Sequence, residues 1–171
     1  MLRRFAPLVL LVVLCLPFTV QAQTDGVGLG ASIGVTNNVG FANPVGFAGK
    51  GWLSDRQAIA GMSSFFIGSE NQQSYWILQG DYLFHNFNEL QVEEGYLALY
   101  VGAGAQFTVL EDTDNQFGIR APIGADYILG SAPIDIFVEV APTLNVTDPT
   151  SLRFDGAIGF RYFFSSGGSS E

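Results

Sequence analysis

The sequence predicts an all-β fold, an eight-stranded antiparallel up-and-down transmembrane β-barrel. Two long segments, 96–109 and 116–129, alternate between apolar residues and a second face of glycine, small and polar residues. A period of two places these sets on opposite faces of a strand. Because the second face is small and sparsely charged, it suits the crowded interior of a narrow barrel better than a surface in water.

The first 22 residues have the layout of a secretory signal peptide. Arg3 and Arg4 form a basic start, residues 8–16 form an apolar run, and Ala22 closes a small-residue cleavage site. The apolar run is too short to span a membrane as a helix. This predicts export and three parts of the chain: a signal peptide at 1–22, a barrel domain at 23–164 and a flexible tail at 165–171.

Charge is scarce and one-sided. Charged residues make up 13% of the chain, about half the ~25% usual in soluble domains. Two of the seven basic residues belong to the signal peptide, so only five remain against sixteen acidic residues. Such a chain has little with which to neutralise phosphates, so no nucleic-acid partner is expected. Cys15, the only cysteine, also lies in the signal peptide, which leaves no disulfide or thiol chemistry after cleavage.

Six further segments with similar alternation, bounded by turn residues, complete the predicted barrel. The eight predicted strands are 26–35, 45–53, 58–67, 74–85, 96–109, 116–129, 134–146 and 152–164. The connection 86–95 is the longest, and segment 58–67 has apolar residues on both faces, which leaves its register open. Pro122 and Pro142 fall inside strands of a barrel that has no free edge. We therefore expect a bulge at each proline, and the assignment of faces beyond it stays open.

A soluble lipocalin-like barrel, binding an apolar ligand in the periplasm, is an alternative with the same alternation. Its polar face would meet water and carry ~25–35% charged residues. Here that face is mostly Gly, Ser, Ala and Gln. Aromatic residues near strand ends, such as Trp52, Phe84 and Tyr127, are also typical of the girdles of membrane barrels. We therefore predict a membrane barrel, a monomer whose outer face contacts lipid.

The last predicted strand resembles the C-terminal signal of bacterial outer-membrane proteins. Its residues are Gly159-Phe160-Arg161-Tyr162-Phe163-Phe164, although the usual pattern ends at the aromatic residue and here a tail follows. The resemblance implies a bacterial outer-membrane location and barrel assembly machinery as a partner. The segments GKGWLSDRQAIAG, QGDYLFH, GIRAPIGADYIL and DIFVEVAP are similar to a family of small outer-membrane barrel domains, and the architecture resembles the OmpA and OmpX type. These resemblances imply fold and location and carry no established activity.

The candidate site is a set of charged residues on the predicted inner face. Ionised groups in a narrow, poorly hydrated lumen must pair, because isolated burial of a charge is costly. We predict a structural network in which three cations neutralise four carboxylates: Lys50, Arg120 and Arg161 with Asp81, Asp126, Glu139 and Asp155. The same face carries Gln79, His85, Asp135 and Arg153. The alternative, solvated charges at the rims, is weakest for Arg120 and Glu139, which lie in mid-strand.

Enzymatic chemistry is not predicted. His85 is the only histidine and adjoins no serine. Asp81 precedes it by four residues on the same strand face, about 13 Å away at about 3.3 Å per residue, which is too far to bond. We interpret His85 as a rim residue. The acidic loops lack the spacing of a calcium-binding loop and the glycines form no phosphate-binding pattern, so no metal and no cofactor is expected.

The predicted function is therefore non-enzymatic, with an envelope-structural or surface-interaction role and a lumen plugged by polar groups. A narrow pore is the alternative. The interior of an eight-stranded barrel is just wide enough for side chains to fill, which argues against open conduction. The many glycines of the inner face soften that objection.

Overall fold

The computed structural model of this chain describes residues 26–36, 44–68, 73–92, 95–111 and 113–164. They form nine β-strands: β1 (Val27–Thr36), β2 (Val45–Ser54), β3 (Gln57–Phe66), β4 (Tyr75–Val92), β5 (Gly95–Leu110), β6 (Gln116–Arg120), β7 (Ile123–Leu129), β8 (Ile134–Asn145) and β9 (Ser151–Phe164). Within these ranges no helix is long and apolar enough to cross a membrane. The predicted signal peptide and C-terminal tail lie outside the described residues.

The strands close into a ring in which every pair is antiparallel. From β1 to β5 each strand pairs with the next, β6 and β7 each pair with β5 and β8, and β8 pairs with β9. β1 also pairs with β9, with Val27 opposite Phe164 and Gly30 opposite Arg161. β6 and β7 both lie between β5 and β8, so together they fill one of eight positions around the barrel. The predicted all-β, antiparallel up-and-down barrel is confirmed.

Pro122 divides the predicted strand 116–129 into β6 and β7. A proline has no N–H to give to a neighbouring strand, so the ladder is interrupted there. The Pro122 carbonyl still accepts a hydrogen bond from the Gly102 N–H at 2.8 Å, and pairing with β5 resumes at Ile123. Arg120 and Asp126, on either side of the break, are both buried. β5 keeps one register on both sides of Pro122, so the prediction of a bulge there was wrong and the two faces are not exchanged.

The expected bulge at Pro142 is absent, so that prediction was wrong. β8 pairs with β9 in one unbroken register from Ile134 to Asn145, with Pro142 opposite Phe154. Thr143 is buried beyond the proline as Ala141 is before it. The inward and outward faces of β8 therefore keep the same alternation on both sides of the proline.

β4 is longer than predicted, and most of the expected connection 86–95 is strand. β4 continues to Val92 and pairs with the start of β5, with Gln91 opposite Tyr96, after a register shift between Asn86 and Leu90. The acidic composition of this segment indicated a loop. The neighbouring strand supplies hydrogen-bond partners for its backbone all the same, and tertiary pairing overrides the local preference.

The distribution of side chains is the inverse of that in a soluble barrel. Large apolar residues on alternating positions of the strands point outward, for example Ile33, Phe47, Val138 and Ile158, each more than half exposed. β3, whose inward and outward faces the sequence left open, follows the same arrangement. Ala58 and Ser64 are buried, whereas Ile59 and Phe65 are exposed. The inward face carries most of the buried charge.

Candidate functional site

The interior of the barrel collects four cations and five carboxylates, each at most 8% exposed. They fall into three groups along the barrel axis. The terminal cluster, at the end where β1 begins and β9 ends, consists of Lys50, His85, Asp126, Asp135 and Arg161. The central cluster consists of Asp81, Tyr100, Arg120 and Glu139. The loop cluster, at the opposite end, consists of Gln79, Gln106, Gln116, Arg153 and Asp155.

Asp126 is the hub of the terminal cluster. One carboxylate oxygen accepts a hydrogen bond from Lys50 Nζ and lies 3.0 Å from His85 Nε2. The other accepts from Arg161 Nη2 at 2.6 Å. Arg161 Nε donates to Asp135 Oδ1 at 2.9 Å, across the β8–β9 pair in which these residues are directly opposite. Two cations and two carboxylates thus balance.

Aromatic rings enclose the cations of the terminal cluster. Lys50 Nζ lies 4.2 Å from the centre of the Trp52 ring, and the Arg161 guanidinium carbon lies 4.3 Å from that of Phe137. These distances are within the range of cation–π attraction. Trp52 also packs in an apolar cluster with Ala58, Leu83 and Tyr100. The terminal cluster is therefore largely shielded from solvent. In such an enclosed interior, ion pairs are strong and an unpaired charge is costly.

The central cluster joins one cation to two carboxylates. Arg120 Nη2 donates to Glu139 Oε1 at 2.5 Å, and Nη1 lies 3.2 Å from Asp81 Oδ2. The Tyr100 hydroxyl donates to the second oxygen of Glu139 at 2.9 Å. The four side chains of this cluster come from β4, β5, β6 and β8, so they add contacts between these strands to the backbone pairing.

The glycines of the inner face make room for these polar side chains. A Cβ on Gly124 would overlap the Tyr100 ring and hydroxyl, and a Cβ on Gly104 would overlap Asp81 Oδ1. In both cases the added Cβ would lie less than 3.0 Å from these side-chain atoms, well inside van der Waals contact. The small residues that predicted a crowded lumen are therefore small because larger polar side chains occupy the space above them.

Gly124→Ala is expected to lower the free energy of unfolding by about 1–3 kcal/mol, as overpacking does in a filled interior. The added methyl group would displace Tyr100 from Glu139. Gly80→Ala is the matched control, because a Cβ there meets nothing within 4 Å. Urea unfolding of both variants in lipid vesicles measures the difference. Equal midpoints for the two variants would contradict a packed lumen at Gly124.

The loop cluster is held by amides as well as charges. Arg153 Nη1 donates to Gln116 Oε1 at 2.9 Å, and its Nε lies 3.8 Å from the Asp155 carboxylate. The side-chain amide of Gln106 lies 2.8 Å from that of Gln79. These groups extend the polar interior toward the end of the barrel where β5 meets β6.

The partners differ in part from those predicted. Asp155 was assigned to Lys50, Arg120 or Arg161, yet its ion-pair partner in the structure is Arg153. That assignment is corrected, because Arg153 lies two residues before Asp155 on the same face of β9. The other six predicted network residues lie within the terminal and central clusters.

Three members of these clusters were left out of the predicted network. Asp135 was placed on the correct face, and the β8–β9 register that sets it opposite Arg161 would have identified it. Tyr100 belongs to the polar face of segment 96–109, but its hydrogen bond to Glu139 was not predicted. His85 was interpreted as a rim residue. Its backbone N–H does donate a hydrogen bond to the Arg56 carbonyl of the β2–β3 turn, but its side chain is fully buried against Lys50 and Asp126.

The clusters offer ion pairs and cross-barrel contacts rather than an open reaction site. His85, the one imidazole, is enclosed with Lys50 and Asp126. Among the described residues, no group of three or more His, Cys, Asp and Glu side chains could hold a metal ion. What the arrangement does chemically is to bind together strands that are not neighbours in the sheet.

Two solved structures are similar to this chain. The N-terminal β-barrel domain of Pseudomonas aeruginosa OprF matches 81% of this chain and 98% of its own, at 14% identity and a TM-score of 0.54. Ail, the attachment invasion locus protein of Yersinia pestis, matches 82% of this chain and 99% of its own, at 13% identity and a TM-score of 0.44. No family model and no curated protein matches the sequence. At this identity, the likeness to the OprF domain shows the fold.

Proposed function

We propose that this chain is a monomeric, non-enzymatic barrel of the bacterial outer membrane, with an envelope-structural or surface-interaction role. Its polar interior acts as a structural plug in place of a hydrophobic core. The observation that carries the proposal is the inverted burial: charged groups are enclosed, while apolar side chains cover the outside. Lipid is the medium in which such an outer face is stable.

The contacts of Asp126 support the structural role of the interior. Asp126 lies on β7, whereas its partners Lys50, His85 and Arg161 lie on β2, β4 and β9. None of these strands is adjacent to β7 in the ring. Backbone ladders join only neighbouring strands, so such side chains can fix the cross-section of the barrel where the ladders cannot.

The outer-membrane location is supported by the predicted signal peptide and by the aromatic last strand. β9 closes the ring against β1, so the strand that resembles an assembly signal is also the strand that completes the barrel. Barrel assembly machinery and outer-membrane lipid are the partners proposed on this basis.

Cell fractionation with gel electrophoresis tests the location. We expect the protein in the outer-membrane fraction, with different mobility in unheated and heated samples, because a folded barrel stays compact in detergent until it is heated. A protein recovered from the periplasm without detergent, with no heat-dependent shift, would contradict the proposal. It would favour the lipocalin-like alternative.

The lipid face can be tested by a charge introduced on it. Val138 is 52% exposed in the middle of β8, opposite Ala125 on β7 and Ile158 on β9. Val138→Arg is expected to lower the free energy of unfolding in lipid vesicles by about 2–4 kcal/mol, the cost of arginine near the bilayer centre. Thr150→Arg, in the exposed β8–β9 connection, should change it little. Equal stability of the two variants would exclude lipid contact at Val138.

A narrow pore is the second candidate, favoured by the excess negative charge of the central cluster. One guanidinium faces two carboxylates there, which would favour cations over anions. A pore predicts cation-selective current in planar bilayers that falls when Glu139 is replaced by Gln. The structural plug predicts no steady current, so current of this kind would decide for the pore.

A further inference from the structure

A small cavity lies inside the barrel between the central and loop clusters. Its volume is about 30 Å³, and it is bounded by β1, β3, β4, β6 and β9 and by Pro44, just before β2. The polar residues that line it are Ser32, Ser64, Gln79, Arg120 and Asp155. All but Gln79 are at most 8% exposed. Apolar residues such as Pro44, Met62 and Ile77 complete the lining, so the cavity is a chamber of mixed character with polar groups on several strands.

Arg120 reaches this chamber with hydrogen-bond donors to spare. Its Nη2 is bonded to Glu139. Its Nε and Nη1 are buried and make no hydrogen bond to the described protein groups, although Nη1 is within ion-pair distance of Asp81. A buried donor without a hydrogen bond costs about 1–3 kcal/mol, and more when it is charged. The Nε donor thus lacks an acceptor among the described side chains.

The chamber also presents acceptors. The Asp155 carboxylate has its ion-pair partner, Arg153 Nε, only at 3.8 Å. The hydroxyl groups of Ser32 and Ser64 can each accept and donate. A molecule that accepts from the guanidinium and donates to the carboxylate would match both groups.

We infer that the chamber is a binding site for about two ordered water molecules that bridge Arg120 and Asp155. Water both donates and accepts, and a cavity needs about 10–15 Å³ per water molecule on this measure. An anion is disfavoured because Arg120 already faces the carboxylates of Asp81 and Glu139. A cation is disfavoured because the guanidinium itself lines the space. The waters join the central cluster to the loop cluster and complete one polar chain along the barrel.

A high-resolution crystal structure of the barrel in detergent, with a second crystal soaked in bromide, tests this inference. We expect water peaks within hydrogen-bond distance of Arg120 and of Asp155, and no anomalous bromide signal in the chamber. A bromide peak at Arg120 would overturn the inference in favour of an anion site. A chamber without ordered density, or with density that touches only apolar atoms, would also overturn it.

A paired substitution provides a second readout in solution. Ala157 lines the chamber on β9, whereas Ala31 on β1 points outward. Ala157→Val is expected to lower the urea midpoint and remove at least one water peak, since the added methyl groups displace water from Arg120 without replacing its hydrogen bonds. Ala31→Val should leave both unchanged. An unchanged midpoint for Ala157→Val after the water peaks are lost would contradict the bridge.

Discussion

Replacing Asp126 with asparagine is expected to lower the free energy of unfolding by about 3–5 kcal/mol, the usual cost of removing one partner of a buried ion pair. The amide would keep the shape of the side chain but not its charge. Lys50 and Arg161 would then share the single carboxylate of Asp135, which lies 3.8 Å from Lys50. The loss is large because this part of the interior is enclosed by Trp52 and Phe137 and offers little solvation.

Urea unfolding in lipid vesicles measures this change, and the temperature at which the gel mobility shifts gives an independent value. Glu111→Gln is the control, because it removes the same charge from the exposed β5–β6 connection. Removing the pair together, as Lys50→Met with Asp126→Leu, should recover part of the stability, since apolar groups of similar volume can replace a buried pair. A variant Asp126→Asn as stable as Glu111→Gln would show that the terminal cluster is not structural.

Arg120→Met is the second change with a large expected effect, again about 3–5 kcal/mol of unfolding free energy. Met fills much of the same volume but leaves the carboxylates of Asp81 and Glu139 without their shared cation. Tyr100 still donates to Glu139, so Asp81 bears most of the loss. Unfolding by urea and the heat-dependent gel shift are the measurements.

Arg56→Met is the matched control for this variant. Arg56 lies exposed in the β2–β3 turn, and the same chemical change there should leave stability nearly unchanged. Adding Asp81→Leu and Glu139→Met to Arg120→Met should restore stability, because no buried charge of the central cluster then remains unpaired. Heat resistance that is the same for Arg120→Met and Arg56→Met would remove the structural role of the central cluster.

The alternation of residues predicted which way each side chain faces, because it depends only on the period of two along a strand. Arg120, Asp126 and Glu139 all point into the barrel as expected. Pro122 and Pro142 left this pattern uncertain, but outward and inward positions continue through both. Pro122 interrupts the backbone pairing, but side chains before and after it keep to the same faces. This outcome depends on how β5 and β8 pair around the proline.

The choice of partners could not be predicted in the same way. A sequence pattern gives the face of a residue but not its height along the barrel, which depends on the register of every strand pair. Asp155 was therefore assigned to the wrong cations, and Asp135 was not recognised opposite Arg161. The extension of β4 to Val92 was missed for a related reason, since an acidic segment becomes strand only because β5 is placed beside it.

The pairing of β1 with β9 has a consequence for how the barrel folds. Val27 meets Phe164, so the ring joins the first and last strands of the described chain, 137 positions apart in sequence. Contacts of such long sequence separation form slowly, because the entropy of closing the loop must be lost first. Lys50 on β2 and Asp126 on β7 are also brought together by this step. We expect the seam between the first and last strands to be the late, rate-limiting event of folding, at which the interior charges lose their water together.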